Sequence, residues 1–231
     1  PEERWMAEGI EMADSIVFNP HKWLLTNFDC SAHYVKQPEL LIRTLSILPE
    51  YLKSREQDQV IDYRDWSVPL GRRFRALKLW FVIRSYGVKG LQKIIRNHIK
   101  LAEYAATWID EDPEFELVSP RSLSLLNFRF RPKNITKSAD IDLLNEDLLN
   151  RLNDSGRVYF TQNRVRGKFT IRWSIGQTNT QLKHVENAWS LIKEYQVILI
   201  KSILSQLIAT NSLEQCLQAG SLYVDKYHLV L

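Results

Sequence analysis

The chain contains little cysteine, glycine or proline and no long apolar run. Its 231 residues include two cysteines, Cys30 and Cys216, which excludes a disulfide scaffold and a four-cysteine zinc site. Eight glycines and eight prolines exclude collagen-like and linker-rich chains. The longest apolar stretch, 197–209, contains Lys201 and is too short and too polar to span a bilayer. Since there is also no secretory signal, we expect a cytoplasmic protein without a membrane partner.

The charged residues are unevenly distributed along a chain whose formal net charge is +4. Residues 61–100 contain ten Lys or Arg against two Asp, a net charge of +8, with Trp80, Phe81 and Tyr86 interleaved. Such a block is compatible with nucleic-acid binding, with a solvated helix face, or with a face that meets further acidic chain. No recognised nucleic-acid motif accompanies the charge, so we expect no nucleic-acid partner.

Hydrophobic periodicity predicts two regions of different texture, with a boundary near Pro113. In the first region it predicts a helix at 2–13, a buried strand at 15–18, a strand at 30–35, a helix at 38–45, and a long helix pair after Pro69 that breaks at Gly87 and ends at 109. In the second it predicts strands at 115–118 and 125–130, a helix at 139–152 capped by Gly156, strands at 158–161 and 169–175, and a helix at 180–195. The β-β-α-β-β-α order is typical of a small α+β domain with helices covering one face.

The segment most informative about chemistry is 19–23, Asn-Pro-His-Lys-Trp. It places Lys22 after an apolar strand and beside His21. An amine buried there is costly to keep charged, and a neutral amine is a nucleophile towards carbonyl groups. The alternative is a surface lysine in a turn, with its ammonium group in water.

Residues 15–25, Ser-Ile-Val-Phe-Asn-Pro-His-Lys-Trp-Leu-Leu, resemble the cofactor-lysine segment of the pyridoxal-phosphate group II amino-acid decarboxylases. The aromatic L-amino-acid decarboxylases, in which Trp follows the Lys, are the most similar of these. The resemblance extends over about residues 1–195. It continues in Asn-Phe-Asp-Cys-Ser-Ala at 27–32, Asp-Tyr-Arg-Asp-Trp at 62–66, Pro-Leu-Gly-Arg-Arg-Phe-Arg at 69–75, Gly-Arg-Val-Tyr at 156–159 and Phe-Thr-Ile-Arg at 169–172.

This resemblance implies an α/β fold of the fold-type I, pyridoxal-phosphate-dependent transferase kind. Residues 1–111 would be the C-terminal part of the cofactor-binding large domain, and 112–195 the small α+β C-terminal domain. Residues 196–231 remain unassigned; a helical extension, an oligomer contact and a gene-prediction artefact are all compatible with them. The family's chain is about twice as long, and its N-terminal half supplies the aspartate and histidine that contact the cofactor ring. We therefore expect the activity to belong to a parent protein and these 231 residues alone to be inactive.

The resemblance also assigns roles around the cofactor, pyridoxal 5'-phosphate. Lys22 would bind the cofactor aldehyde, Asn19 would hydrogen-bond its phosphate, and His21 would shape the site without acting as a base. Tyr51, within a segment at 46–65 that is either an exposed connector or a mobile loop, would return a proton to the substrate Cα. Relatives with Phe at that place tend to be aldehyde synthases, so Tyr51 favours simple decarboxylation.

The same resemblance places Phe28, Leu70 and Gly71 in the substrate pocket, with Phe28 contributed across a homodimer interface. Gly71 leaves room for an indole ring, whereas Ser there is associated with phenolic substrates in some plant relatives. From the residues alone, Phe28 is equally compatible with core packing. Arg64 would order the mobile loop or form a surface ion pair with a neighbouring aspartate.

The implied function is decarboxylation of an aromatic L-amino acid to its amine and carbon dioxide. One alternative is a related decarboxylase of the glutamate or histidine type, or an aromatic aldehyde synthase. A non-enzymatic alternative is an inactive fragment that only dimerises.

Overall fold

The computed structural model describes residues 2–47 and 60–209. The chain divides into two compact units, Pro1–Gln92 and Lys93–Leu231. None of the helices in the described ranges is long and apolar enough to cross a membrane.

The first unit contains a small antiparallel sheet and short helices. Strands β1 (Ser15–Phe18) and β2 (Ala32–Val35) pair so that Ser15 lies opposite Val35. Helix α1 spans Pro38–Leu45, as predicted, and begins with proline because the first helical residue needs no N–H donor. Helix α2 (Arg75–Glu111) begins in this unit. Single 3₁₀ turns cover Arg4–Ala7, Ile10–Met12 and Tyr63–Trp66.

Two predictions for this unit are wrong. The helix expected at 2–13 is replaced by two 3₁₀ turns, because Gly9 between them adopts a left-handed conformation (φ 80°) that interrupts helical hydrogen bonding. The strand at 15–18 is present but not buried, since three of its four residues are exposed, including Val17 and Phe18. Within the described ranges β1 pairs only with β2. The two-stranded sheet therefore leaves these apolar side chains uncovered.

Helix α2 changes direction at the predicted glycine. Gly87 has φ 65° and ψ 165°, a conformation that is essentially restricted to glycine. Around it the helix exposes an apolar stripe that includes Trp80, Phe81 and Val88, whose exposed fractions are 54%, 58% and 63%.

The second unit confirms the predicted β-β-α-β-β-α order. Its antiparallel sheet has the strand order β3-β4-β6-β5. The elements are β3 (Phe115–Leu117), β4 (Leu125–Phe130), α3 (Ser138–Asp154), β5 (Thr161–Val165), β6 (Lys168–Ser174) and α4 (Leu182–Ala209).

The core of this unit lies between the sheet and its helices. Alternation along β4 directs Leu126, Phe128 and Phe130 to one face, where all three are buried. Leu148 of α3 and Ile192 of α4 belong to the same buried cluster. Burying a side chain of this size contributes about 1.5–3 kcal/mol, so this core is the main stabilising element of the unit.

Helix α4 continues past residue 195 into the region, 196–231, for which the sequence predicted no definite structure. Leu199 and Ile200 are buried in the core of the second unit. Gln196 is fully buried and donates a hydrogen bond from Nε2 to Glu114 Oε2 at 2.6 Å. Residues 196–200 therefore pack as part of this unit.

Candidate functional site

The turn that follows β1 presents Lys22. Its amide donates to Asn19 O at 3.0 Å, and the Thr26 amide donates to Pro20 O at 3.1 Å, which closes a compact turn. The Lys22 side chain is exposed in this turn. Of the two arrangements left open by the sequence, the structure therefore has the surface lysine in a turn, since within the described residues β1 pairs only with β2. The exposed amine is accessible to a carbonyl ligand.

His21, beside Lys22, is tethered to Cys30. The His21 amide donates to Cys30 O at 3.2 Å. The ring Nδ1 lies 2.7 Å from Cys30 O and 3.0 Å from Cys30 N. A protonated Nδ1 donates to the carbonyl and an unprotonated Nδ1 accepts from the amide, so Cys30 holds the ring in either tautomer. This position agrees with a shaping role for His21.

Asn19 is oriented by Ser31, the residue just before β2. Ser31 Oγ donates to Asn19 Oδ1 at 2.6 Å. Because Oδ1 is engaged as an acceptor, the other amide atom, Nδ2, is the donor that Asn19 can offer to a ligand. A phosphate group requires donors, so this orientation is compatible with the phosphate contact expected of Asn19.

The residues expected in the substrate pocket lie on the surface. Phe28 is 83% exposed and Leu70 is 53% exposed. Gly71 has no atom within 4 Å of the position that a Cβ would occupy. Gly71 lines an open cavity of about 330 Å³, and neither Phe28 nor Leu70 is among its lining residues. That cavity is lined by Asp29, Ser31, Ser67, Pro69, Gly71, Arg72, Arg73 and Arg75.

Two cations at the start of α2 contact the segment that carries Phe28, and sequence reasoning missed both contacts. Arg75 pairs with Asp29, with Nη2 at 2.9 Å and Nε at 3.1 Å from Oδ2. Lys78 Nζ donates to Asn27 O at 3.0 Å and to Asp29 O at 2.7 Å. The hydrogen bond from Arg75 holds the pKa of Asp29 below its ordinary value. The only sequence signal was a lone aspartate at 29 and a basic block about 46 residues later.

Arg64 forms the ion pair that the residues alone suggested. Its Nη2 lies 3.0 Å from Asp62 Oδ2, and its Nε lies 3.6 Å from Asp65 Oδ1. With Arg75 and Lys78, it shows that part of the basic block is engaged inside the chain. Tyr51, the expected proton donor, lies outside the described residues.

The donor set around Lys22 fits pyridoxal phosphate. It combines an accessible primary amine for an aldehyde with an oriented amide donor on Asn19 for a phosphate. The nearby carboxylate, Asp29, is already paired with Arg75, so it adds no unpaired negative charge beside a dianionic ligand.

Comparison with known proteins identifies the family. Residues 1–131 match the pyridoxal-dependent decarboxylase conserved domain. The chain belongs to the pyridoxal-dependent decarboxylase family. A tryptophan decarboxylase of Camptotheca acuminata is 46% identical over 203 residues, which are 87% of this chain and 40% of that protein. A phenylacetaldehyde synthase of Arabidopsis thaliana is 44% identical over 196 residues, 84% of this chain and 40% of that protein.

The fold of the family is also found among solved structures. The structure of Catharanthus roseus tryptophan decarboxylase in complex with L-tryptophan matches with a TM-score of 0.76 and 42% identity. The match covers 86% of this chain and 42% of that one. The fold-type I assignment is thereby confirmed. This family member spans about 40% of the length of the relatives it matches.

Proposed function

We propose that the natural protein containing this chain decarboxylates an aromatic L-amino acid to the corresponding amine and carbon dioxide, with pyridoxal phosphate as its cofactor. The accessible Lys22 amine in the Asn-Pro-His-Lys turn, with the Asn19 amide donor beside it, is the observation that carries the proposal. The Camptotheca acuminata and Catharanthus roseus relatives, both named tryptophan decarboxylases, support the aromatic substrate class.

Bound pyridoxal phosphate supplies an electron-withdrawing ring that accepts the electron pair of the breaking bond between Cα and the carboxylate. The residues of this chain hold the reactants in place. Lys22 would hold the cofactor through its amine, and Asn19 Nδ2 would bind the phosphate. His21, fixed by Cys30, sets the position of the Lys22 turn.

The substrate side chain would lie against Phe28, Leu70 and Gly71. The absence of any atom within 4 Å of the Cβ position of Gly71 is compatible with a large ring such as indole. The high exposure of Phe28 supports its contribution to the pocket of a second copy in a homodimer. We place this homodimer in the cytoplasm, in keeping with the low cysteine content.

Tyr51 is the residue that distinguishes the decarboxylase from its main alternative. Its hydroxyl would return a proton to the substrate Cα after carbon dioxide has left. The alternative, an aromatic aldehyde synthase, is favoured by the similarity to the phenylacetaldehyde synthase. A phenol at position 51 favours the amine as product.

The test compares the purified natural protein with its Tyr51→Phe variant, each supplied with L-tryptophan or L-tyrosine. We expect carbon dioxide and amine in equal amounts from the natural protein. The variant should still release carbon dioxide but form aldehyde, ammonia and peroxide with oxygen, because the phenolic proton is missing. Amine formation by the variant at the parent rate would contradict the role of Tyr51. Absence of carbon dioxide from the natural protein with both substrates would contradict the proposed function.

A further inference from the structure

The first turn of α2 holds the segment at 27–30 by two side chains. Arg75 directs two guanidinium nitrogens to Asp29 Oδ2, at 2.9 and 3.1 Å. Lys78, three residues later on the same helix face, donates to the carbonyl oxygens of Asn27 and Asp29. The Cys30 thiol also contacts Arg75 O, at 3.8 Å. Both the side chain and the backbone of this segment are therefore fastened to α2.

The segment at 27–30 and the adjoining Ser31 are in turn connected to His21 and Asn19, which belong to the Lys22 turn. The backbone and ring of His21 are hydrogen-bonded to Cys30, and the Phe28 ring lies edge-on to the His21 ring with centroids 4.9 Å apart. Ser31, one residue further on, donates to Asn19. A displacement of the segment would therefore move the His21 ring and release the Asn19 amide.

We propose that Arg75 and Lys78 are positioning residues, which act through the segment at 27–30 to set the geometry of the Lys22 turn and of Phe28. The inference rests on the proposed function, because it concerns the presentation of Lys22 to the cofactor. Both cations are engaged with Asp29 and its neighbours, and Arg75 also lines the cavity at Gly71, so the role proposed for the pair is the one exerted through the segment at 27–30.

The exposure of the ion pair argues for positioning over bulk stabilisation. The side chains of Arg75 and Asp29 are each 36% exposed, and exposed ion pairs contribute little to the free energy of unfolding. The two guanidinium contacts of Arg75, called its fork below, and the two hydrogen bonds of Lys78 nevertheless restrict the orientation of the segment. Loss of these contacts should therefore loosen the Lys22 turn without unfolding the chain.

The first arm of the test measures amide hydrogen exchange of the natural protein without cofactor. Arg75→Lys removes the fork but keeps the charge, and Lys78→Met removes the two carbonyl contacts. We expect exchange in peptides covering 19–31 to become about three- to tenfold faster, the effect of losing about one net hydrogen bond. The matched controls Arg84→Lys and Lys89→Met change exposed cations of the same helix and should leave exchange unchanged.

The second arm measures how fast borohydride fixes pyridoxal phosphate on the peptide that contains Lys22. The Arg75 and Lys78 variants should be slower than the parent protein, while exchange of β4 in the second unit stays unchanged as a check on folding. Lys78→Arg keeps N–H donors and should restore most of the parent rate. In a double variant, Asp29→Asn should add little to the effect of Arg75→Lys, because each substitution removes the same ion pair.

The outcomes separate this inference from the proposed function. If the parent protein fixes the cofactor on Lys22 and the variants match it in both arms, the positioning role is overturned. If the parent protein does not fix the cofactor on Lys22, the proposed function fails, and the exchange arm alone decides the role of Arg75 and Lys78. Unchanged exchange at 19–31 would then overturn it, and faster exchange would uphold the structural link.

Discussion

Asn145 is expected to be one of the most sensitive positions of the second unit. It is fully buried on α3. Its Oδ1 accepts from the Phe130 amide, and its Nδ2 donates to the carbonyl oxygens of Phe130 and Ile141, each at 2.8 Å. The register of β4 with β6 extends from Leu125 to Phe128. Phe130 lies opposite Phe115 of β3, but β6 no longer pairs with β4 at this position, so the Asn145 amide takes the place of β6 for Phe130.

The size of the effect follows from the groups left without partners. Asn145→Ala would orphan the N–H and the C=O of Phe130 inside the core. Each unsatisfied buried group costs about 1–3 kcal/mol, so we expect a loss of about 2–6 kcal/mol. The better helix propensity of alanine offsets only about 0.5 kcal/mol of this loss. The loss is a large part of the roughly 5–15 kcal/mol that stabilises a typical domain.

Urea unfolding followed by circular dichroism, with exchange of the Phe130 amide as a local readout, measures this loss. Asn150→Ala is the matched control, because Asn150 is exposed on the same helix, and its effect should stay within about 0.5 kcal/mol. Asn145→Asp keeps an acceptor for the Phe130 amide but sets a second oxygen against the Phe130 carbonyl, so it should also destabilise. A loss below about 1 kcal/mol for both Asn145 variants would refute the reasoning.

Two further predictions concern pH and substrate choice. Burial lowers the pKa of His98 against the opposing effect of its hydrogen bond to Gln177 O, so the folded state binds this proton more weakly than the unfolded chain. The contribution of His98 to the free energy of unfolding should therefore be fully present above about pH 6.5 and should decrease as the pH falls below that value. In urea titrations at several pH values, His98→Gln should make this dependence on pH less steep. An unchanged dependence would contradict the assignment. Gly71→Ser should leave the urea midpoint unchanged, because the space at the Cβ position is open, and should lower kcat/KM for tryptophan relative to tyrosine. An unchanged ratio of the two values would remove Gly71 from the pocket.

Local signals in the sequence were sufficient to predict where many helices and strands begin or end. Pro38 marked the first residue of α1, and Gly87 marked the interruption of α2. Gly156 follows α3 with φ 67°, as expected of a helix-terminating glycine. The alternating apolar residues at 125–130 matched β4. In each case the physical cause lies within a few residues of the element.

Strand β5 was misplaced because side-chain hydrogen bonds from the end of α3 override the strand pattern. The apolar run predicted a strand at 158–161, whereas the strand spans Thr161–Val165. The amide and carbonyl of Phe160 are bound by the side chain of Asn153, at 2.8 and 2.9 Å, so they do not pair with a strand. Phe160 instead packs into the core. No local sequence signal distinguishes an amide clamp of this kind from a strand partner.

The candidate site was predictable only in part. The turn that carries Lys22 and its neighbours follows from a local motif. The contacts of Arg75 and Lys78 with the segment at 27–30 join residues 46 to 51 positions apart, so only the fold brings them together. The exposure of Lys22 and Phe28 likewise depends on which layers cover the small sheet, which periodicity within one strand does not encode.

Borohydride reduction of the natural protein loaded with pyridoxal phosphate, followed by peptide mapping, tests the central claim most directly. We expect the cofactor mass on the peptide containing Lys22. Lys22→Arg should abolish it, because a guanidinium stays protonated and does not attack the aldehyde. Lys36→Arg, at an exposed lysine just after β2, should leave labelling unchanged. Stoichiometric labelling at another lysine, or labelling that survives in Lys22→Arg, would contradict the account.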